Sequence, residues 1–331
     1  MASPTSKADF NDVFHTVLQS VLSETKAYGV PDVTIERLKK CMEYNTRNER
    51  VFQSRLVPDT GSLLLGRSLT HDELVDLSVL GWIIEIWKGY IYIVDDIIDG
   101  SQTRRGRPCW HLLLPGTGLQ ALNDSCILKS LIFLVLKRFF HDTPTYTRLV
   151  EAMQEITYLT ELGQDMDIII SQQTDPALWT WVEYESITTL KCGYAAYYQP
   201  VVYALHYLDL ATPHNVKQLK QILLPLGVLH QMINDFLDIF GEFAQTGKSG
   251  TDIEENKCSW VIIRALEMSE DEQRLYLRKH YGRCGKTEAD EIRVIFRSLP
   301  LIEAFDQEQK QRVSEIQTMI YDLDESEGLR K

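Results

Sequence analysis

The sequence predicts an all-α protein: a single-domain helical bundle of about ten helices around a deep apolar cavity. Three observations point there. Apolar residues recur at helical spacing through most of the chain, no segment alternates convincingly with a two-residue period, and two long apolar segments each end in an acidic cluster. Two average domains would fit in 331 residues, but nothing in the sequence forces a split, so residues 1–331 read as one domain.

Taken in order, Phe10, Val13, Phe14, Val17, Val21 and Leu22 predict a helix over 10–28, closed by Gly29-Val30-Pro31. A second helix is expected over 32–43, and then residues 45–60, polar and carrying Arg47, Glu49, Arg50 and Arg55, read as an irregular, ligand-facing loop. Residues 71–98 form one long helical pattern, apolar on most sides in its second half and therefore central and buried. Pro108 and Pro115-Gly116 punctuate the loop before a helix over 119–140, which Asp142-Thr143-Pro144 stops. Residues 145–172 are helical, with Gln164 and Asp167 on one face, and 184–208 are helical and rich in tyrosine around Lys191. A strongly apolar helix over 216–240 follows, and shorter helical segments over 261–268, 271–281 and 287–299 lead to a polar one over 303–323.

Composition narrows the partners. A net charge of −13 argues against nucleic acid or an anionic membrane surface, so any anionic ligand must be held by a local site. The six cysteines form no CxxC pair, which suggests reduced thiols and neither a zinc site nor a disulfide framework. With no signal-like N-terminus and no uninterrupted apolar stretch of membrane-spanning length, a soluble, cytoplasmic protein is expected.

The chemistry concentrates where the two apolar helices end. Asp95, Asp96 and Asp99 lie within one helical turn of each other, a crowding of carboxylates that costs stability unless cations intervene. Oxygen-only ligands suit Mg²⁺, and the following Arg104 and Arg105 suit phosphate. A second cluster contains Asn234, Asp235, Asp238 and Glu242, with Lys191, Lys248 and Lys257 as further cations. The Gly247-Lys248-Ser249 run is not a phosphate-binding P-loop, because Glu242 stands where that motif needs glycine and no strand precedes it. One acidic triplet is most often a solvated face, and tyrosines at helical spacing are most often core. Two triplets in matching contexts, facing each other across a cavity, favour a ligand with an anionic head and a long hydrocarbon tail. The favoured reaction is loss of diphosphate from an allylic carbon, with Tyr90, Tyr92, Tyr194, Tyr197, Tyr198 and Phe236 as aromatic lining for the carbocation.

These residues resemble the trans-isoprenyl diphosphate synthases, and among them the farnesyl diphosphate synthases. Asp95 to Asp99 with Thr103-Arg104-Arg105-Gly106 is similar to the family's first aspartate-rich motif, and Gly163-Gln164 with Asp167 to its GQxxD element. Gln231 with the Asn234 to Asp238 run resembles the second aspartate-rich motif, and Thr246 to Asp252 with Asn256 to Trp260 a further family segment. The resemblance implies the isoprenoid synthase fold, a homodimer, three Mg²⁺ ions and a prenyl diphosphate substrate. It implies metal binding by Asp95, Asp96, Asp99, Asn234, Asp235, Asp238 and Glu242, and diphosphate binding by Arg104, Arg105, Lys191, Gln231, Lys248 and Lys257. Tyr90 and Ile91 stand where the family limits chain growth, and with Tyr194, Tyr198 and Phe236 they are the expected pocket.

The departures gather on one half of the site. Where elongating members hold isopentenyl diphosphate with a Gly-Gly-Lys-x-x-Arg loop, this chain has Asn48-Glu49-Arg50-Val51-Phe52-Gln53, Lys88 replaces a glutamine or histidine, and the final residues carry no basic tail. The first expectation is therefore a terpene synthase that ionises farnesyl diphosphate and releases a sesquiterpene, like those insects derived from farnesyl diphosphate synthase. The alternatives are a divergent farnesyl or geranyl diphosphate synthase, in which Arg50, Lys88 and Arg105 still hold isopentenyl diphosphate, and an inactive prenyl-diphosphate-binding partner subunit.

Overall fold

The computed structural model describes residues 5–47, 51–241, 250–283 and 285–330. It is an all-α protein, 76% helical, as expected. Its described residues fall into two compact units. The first draws on Met1–Gln154, Gln199–Val216 and Asp324–Arg330, the second on Glu155–Tyr198 and Lys217–Leu323.

The first unit contains α1 (Lys7–Ala27), α2 (Asp32–Thr46), α3 (Phe52–Leu65), α4 (His71–Ile98), α5 (Gln120–Phe140) and α8 (Gln199–Tyr207). Its axis is α4, against which α1, α2, α3, α5 and α8 all pack. Thr70 caps α4 by accepting from the Glu73 N–H while the Glu73 carboxylate accepts from the Thr70 N–H, and Glu73 also binds Arg67, which with the cap pulls its pKa down to about 2. Trp82 on α4 stacks on Phe10 at 5.0 Å between ring centres and donates to the Phe10 carbonyl at 2.8 Å, which fixes α1 on α4.

Helix α3 corrects the expectation of a loop over 45–60, since Phe52 to Leu65 is helical despite Pro58. Pro58 has no N–H for the Ser54 carbonyl, and α4 comes so close there that a Cβ on Gly81 would lie 2.5 Å from that same carbonyl oxygen. The buried face is Ser54, Val57, Pro58, Gly61 and Ser62, with Val57 as its one large aliphatic side chain, so the helix leaves no periodic run of large apolar residues in the sequence. The predicted loop residues Asn48, Glu49 and Arg50 lie outside the described residues.

The second unit holds α7 (Trp181–Thr188), α10 (Trp260–Met268), α11 (Asp271–His280), α12 (Lys286–Ser298) and α13 (Leu301–Tyr321), with most of α6 (Tyr146–Ser171) and α9 (Pro213–Phe240). Its core gathers Trp260, Val261, Ile262, Tyr184, Met232 and Phe296. The helix expected over 184–208 is interrupted: Thr189–Tyr198 winds as a π-helix. Close backbone approach accompanies the wider turn, because a Cβ on Gly163 would meet the Lys191 nitrogen at 2.3 Å and one on Gly227 the Gly193 Cα at 2.4 Å.

Two helices, His71–Ile98 and Pro213–Phe240, are long and apolar enough by composition to cross a membrane, which amends the expectation that no stretch qualifies. In α4 the apolar window is 83% buried within the protein, so its apolarity is spent in packing.

Candidate functional site

In the first unit the site is built at the C-terminal end of α4. Gly100, at φ 62°, lets the chain leave the helix, and residues 103–108 form a two-stranded hairpin, β1 (Thr103–Arg104) and β2 (Arg107–Pro108). Its turn is Arg105-Gly106, at φ 56° and 74°, the left-handed pair that a two-residue hairpin requires. This hairpin was not foreseen, although Gly106 was part of the motif. Its effect is to fold Arg104 back onto the helix that precedes it.

The Arg104 guanidinium donates to Asp96 through Nε and to Asp95 through Nη2, each at 2.8 Å. Burial raises the Asp96 pKa and Arg104 only partly opposes it, while Asp95 and Asp96 together outweigh burial in raising that of Arg104. Asp99 is the C-cap of α4, its N–H bonded to the Asp95 carbonyl. Arg105 turns elsewhere: it lies 3.7 Å from Glu85 and donates to the Asn45 carbonyl. Both arginines stack on the Tyr92 ring, at 4.9 and 5.1 Å from its centre. Glu85, fully buried, also accepts from Lys88 at 2.8 Å and from the Ser54 hydroxyl. Sequence reasoning passed over Glu85; the signal was a lone carboxylate inside an apolar run, with a lysine three residues on.

Among the described residues no three His, Cys, Asp or Glu side chains stand gathered as a ready metal cage. The donor chemistry of Asp95, Asp96 and Asp99 nevertheless fits Mg²⁺, being all oxygen and anionic, and Arg104 is the cation that neutralises two of them. Tyr90 is buried and its ring carries Lys129 at 5.2 Å, and Ile91 beside it is half-buried.

In the second unit, Asp167 joins two cations: Lys191 Nζ at 2.7 Å and Lys257 Nζ at 3.0 Å. Burial alone would raise the Asp167 pKa, but the two lysines lower it on balance. Asp235 is enclosed in a network of its own. It accepts from the Tyr184 hydroxyl at 2.8 Å, the Trp260 N–H at 2.9 Å and Gln231 Nε2 at 2.7 Å, and burial still pushes its pKa up to about 6 against those bonds. Asp238 accepts from the Asp252 N–H at 3.1 Å, and Asn234 lies half-buried with its amide 3.5 Å from Gln231. Asn234 and Asp238 are thus one helical turn apart, whereas Asp235 is directed into the Tyr184 network, a partner the sequence did not disclose. Phe236 stacks on Phe240 and Phe305, packed against the core of this unit. Tyr194 meets the buried Tyr198 edge to face at 5.5 Å, and Lys220 caps both rings. Glu242 and Lys248 lie outside the described residues.

Comparison with known proteins bears on both units. A sequence model of the polyprenyl synthetase family matches residues 35–320. The farnesyl pyrophosphate synthase of Schizosaccharomyces pombe is 34% identical, the match covering 100% of this chain and 96% of the relative. The farnesyl pyrophosphate synthase of Penicillium aethiopicum is 35% identical, covering 100% and 95%. A structure of T. brucei farnesyl diphosphate synthase with a bisphosphonate superimposes with a TM-score of 0.89 at 26% identity, covering 95% of this chain and 92% of that one. These relatives correct the expected terpene synthase: chains matched from end to end carry the name of the elongating enzyme. The Asn48 to Gln53 segment lacks the glycines and arginine of the isopentenyl diphosphate loop, yet the first unit retains two other cations, Lys88 and Arg105, both on Glu85.

Proposed function

The chain belongs to the polyprenyl synthetase family, and on that premise we propose that it is a prenyltransferase condensing isopentenyl diphosphate with an allylic diphosphate to a farnesyl or geranyl product. The observation that carries this reading is end-to-end similarity to farnesyl pyrophosphate synthases in a chain that keeps Asp95 and Asp96 paired with Arg104, with Asp99 at the same helix end.

The family is Mg²⁺-dependent in general. Asp95, Asp96 and Asp99 are the residues of the first unit that would hold Mg²⁺, and Asn234 and Asp238 those of the second suited to it by chemistry. Bound there, Mg²⁺ would neutralise the charge that builds on a departing diphosphate. The protein's own groups do the rest. Arg104, once its carboxylates are engaged otherwise, offers a planar fork to phosphate oxygens. Lys191 and Lys257, held side by side by Asp167, offer two more cations at fixed positions. Lys88 and Arg105 are the cations assigned to the diphosphate of isopentenyl diphosphate. Three Mg²⁺ ions and a homodimer are parts of the same proposal and rest on the resemblance.

The test is incubation with isopentenyl and dimethylallyl diphosphates, with and without Mg²⁺, followed by chromatography of the products. Elongated C10 or C15 diphosphates that vanish on chelation support the reading. Absence of elongation at any substrate ratio refutes it.

A further inference from the structure

Lys88, Arg105 and Ser54 meet on Glu85 in a polar cluster of the first unit. Glu85 is 0% exposed and Lys88 7%, in the middle of the largely buried helix α4. Such a carboxylate is retained only when its partners neutralise it. Here it has both cations as partners, at 2.8 Å from Lys88 and 3.7 Å from Arg105, and the Ser54 hydroxyl donates to it as well. Lys88 is fixed by the helix itself, three residues from Glu85. Arg105 reaches the same carboxylate from the left-handed hairpin turn, its guanidinium 5.1 Å from the centre of the Tyr92 ring. Among the described residues Glu85 thus faces two cations and offsets one of their charges.

We propose that Glu85 is a positioning and specificity-determining residue that holds Lys88 and Arg105 together and, by cancelling one of their charges, sets how strongly the first unit draws the diphosphate of the second substrate. The proposal rests on the prenyltransferase reading. A diphosphate approaching Lys88 and Arg105 competes with Glu85 for the same donors, so the enzyme trades affinity for isopentenyl diphosphate against keeping a lysine and an arginine stable inside an apolar wall. Arg104 is paired with Asp95 and Asp96, so the affinity for the allylic diphosphate is set separately.

The experiment is steady-state elongation kinetics of Glu85→Gln, which keeps the shape and removes the charge. The expected result is a KM for isopentenyl diphosphate at least about tenfold lower, because one unscreened charge within contact distance outweighs that factor even at moderate dielectric. The KM for dimethylallyl diphosphate should stay within about twofold. Glu85→Asp, which keeps the charge, should restore most of the wild-type value. A purely structural Glu85 predicts the opposite pattern: lower kcat and thermal stability with the KM for isopentenyl diphosphate unchanged or raised, and that result overturns the proposal. Should Glu85→Gln fail to fold, Lys88→Met decides, since it removes one cation and leaves no hydrogen-bond donor in its place, and should raise the same KM at least about tenfold; an unchanged KM overturns the proposal. If the wild type does not elongate at all, the prenyltransferase reading fails by itself. Calorimetric titration of isopentenyl diphosphate into wild type and Glu85→Gln then tests the charge effect directly, tighter binding to the variant supporting it and equal binding refuting it.

Discussion

Replacing Asp167 by Asn removes the carboxylate that joins Lys191 and Lys257 while leaving an acceptor oxygen in place, and Lys257 keeps Glu255 at 3.9 Å. Both ammonium groups sit within 3.0 Å of it, and their side chains are only 23% and 16% exposed, so neither recovers full hydration when the charge disappears. Breaking a buried pair from one side costs about 3–5 kcal/mol, and the residual exposure of the lysines puts this case at the lower end, about 3 kcal/mol. For a compact unit of this size that lowers the melting temperature by about 6–12 °C. Scanning calorimetry of the two proteins at pH 7 measures it. The pH dependence has a definite sign. Asp167 has a folded pKa below its unfolded value of about 3.9, so its contribution is present above that value and is lost as pH falls through the folded pKa. The gap between wild type and variant should therefore be wide at pH 7 and close in acid. A fall of less than about 2 °C at pH 7, on the order of 1 kcal/mol or less, would show that the two lysines do not depend on Asp167 and would refute the reasoning.

Three further outcomes follow from named contacts. Gly81→Ala places a methyl group 2.5 Å from the Ser54 carbonyl and 2.7 Å from Phe10, so it should destabilise the first unit by about 1–3 kcal/mol, read by calorimetry. Arg104→Lys keeps the charge but loses the fork that engages Asp95 and Asp96 together, and should lower kcat/KM for the allylic substrate by about 10- to 100-fold; an unaltered value would remove Arg104 from diphosphate binding. Tyr90→Ala opens space along α4 beneath Lys129 and should shift the product distribution toward longer chains, whereas an unchanged product length discards Tyr90 as a chain-length floor.

The long helices were legible because their signals are strong and local. Helix α4 occupies the predicted span from His71 to Ile98, where an apolar face and the Thr70-Glu73 cap agree. Helix α3 is hidden because serine and glycine fill most of its buried face beside Val57 and because Pro58 is a breaker by any local rule, overridden here by close packing on Gly81. The π-helix from Thr189 to Tyr198 has no sequence period of its own to announce it; it is tied to glycines distant in sequence, Gly163 and Gly227. At the site, the residue types were readable and the pairings were not. Asp95, Asp96 and Arg104 could be grouped from the motif, but that Arg105 turns to Glu85 depends on the left-handed turn at Arg105-Gly106. In sequence Asp235 groups with its acidic neighbours, yet the structure directs it to Tyr184 and the Trp260 N–H. The functional expectation went astray for a related reason, since a loop with lost glycines weighs heavily in a sequence and a buried lysine and arginine on a shared carboxylate weigh little.

The measurement closest to the central claim is incorporation of labelled isopentenyl diphosphate into an allylic acceptor by the purified wild-type protein with Mg²⁺. The account predicts label in a C10 or C15 prenyl diphosphate, at a rate that saturates with both substrates. Label left wholly in isopentenyl diphosphate, while farnesyl diphosphate supplied alone is converted to a hydrocarbon or alcohol, would contradict it.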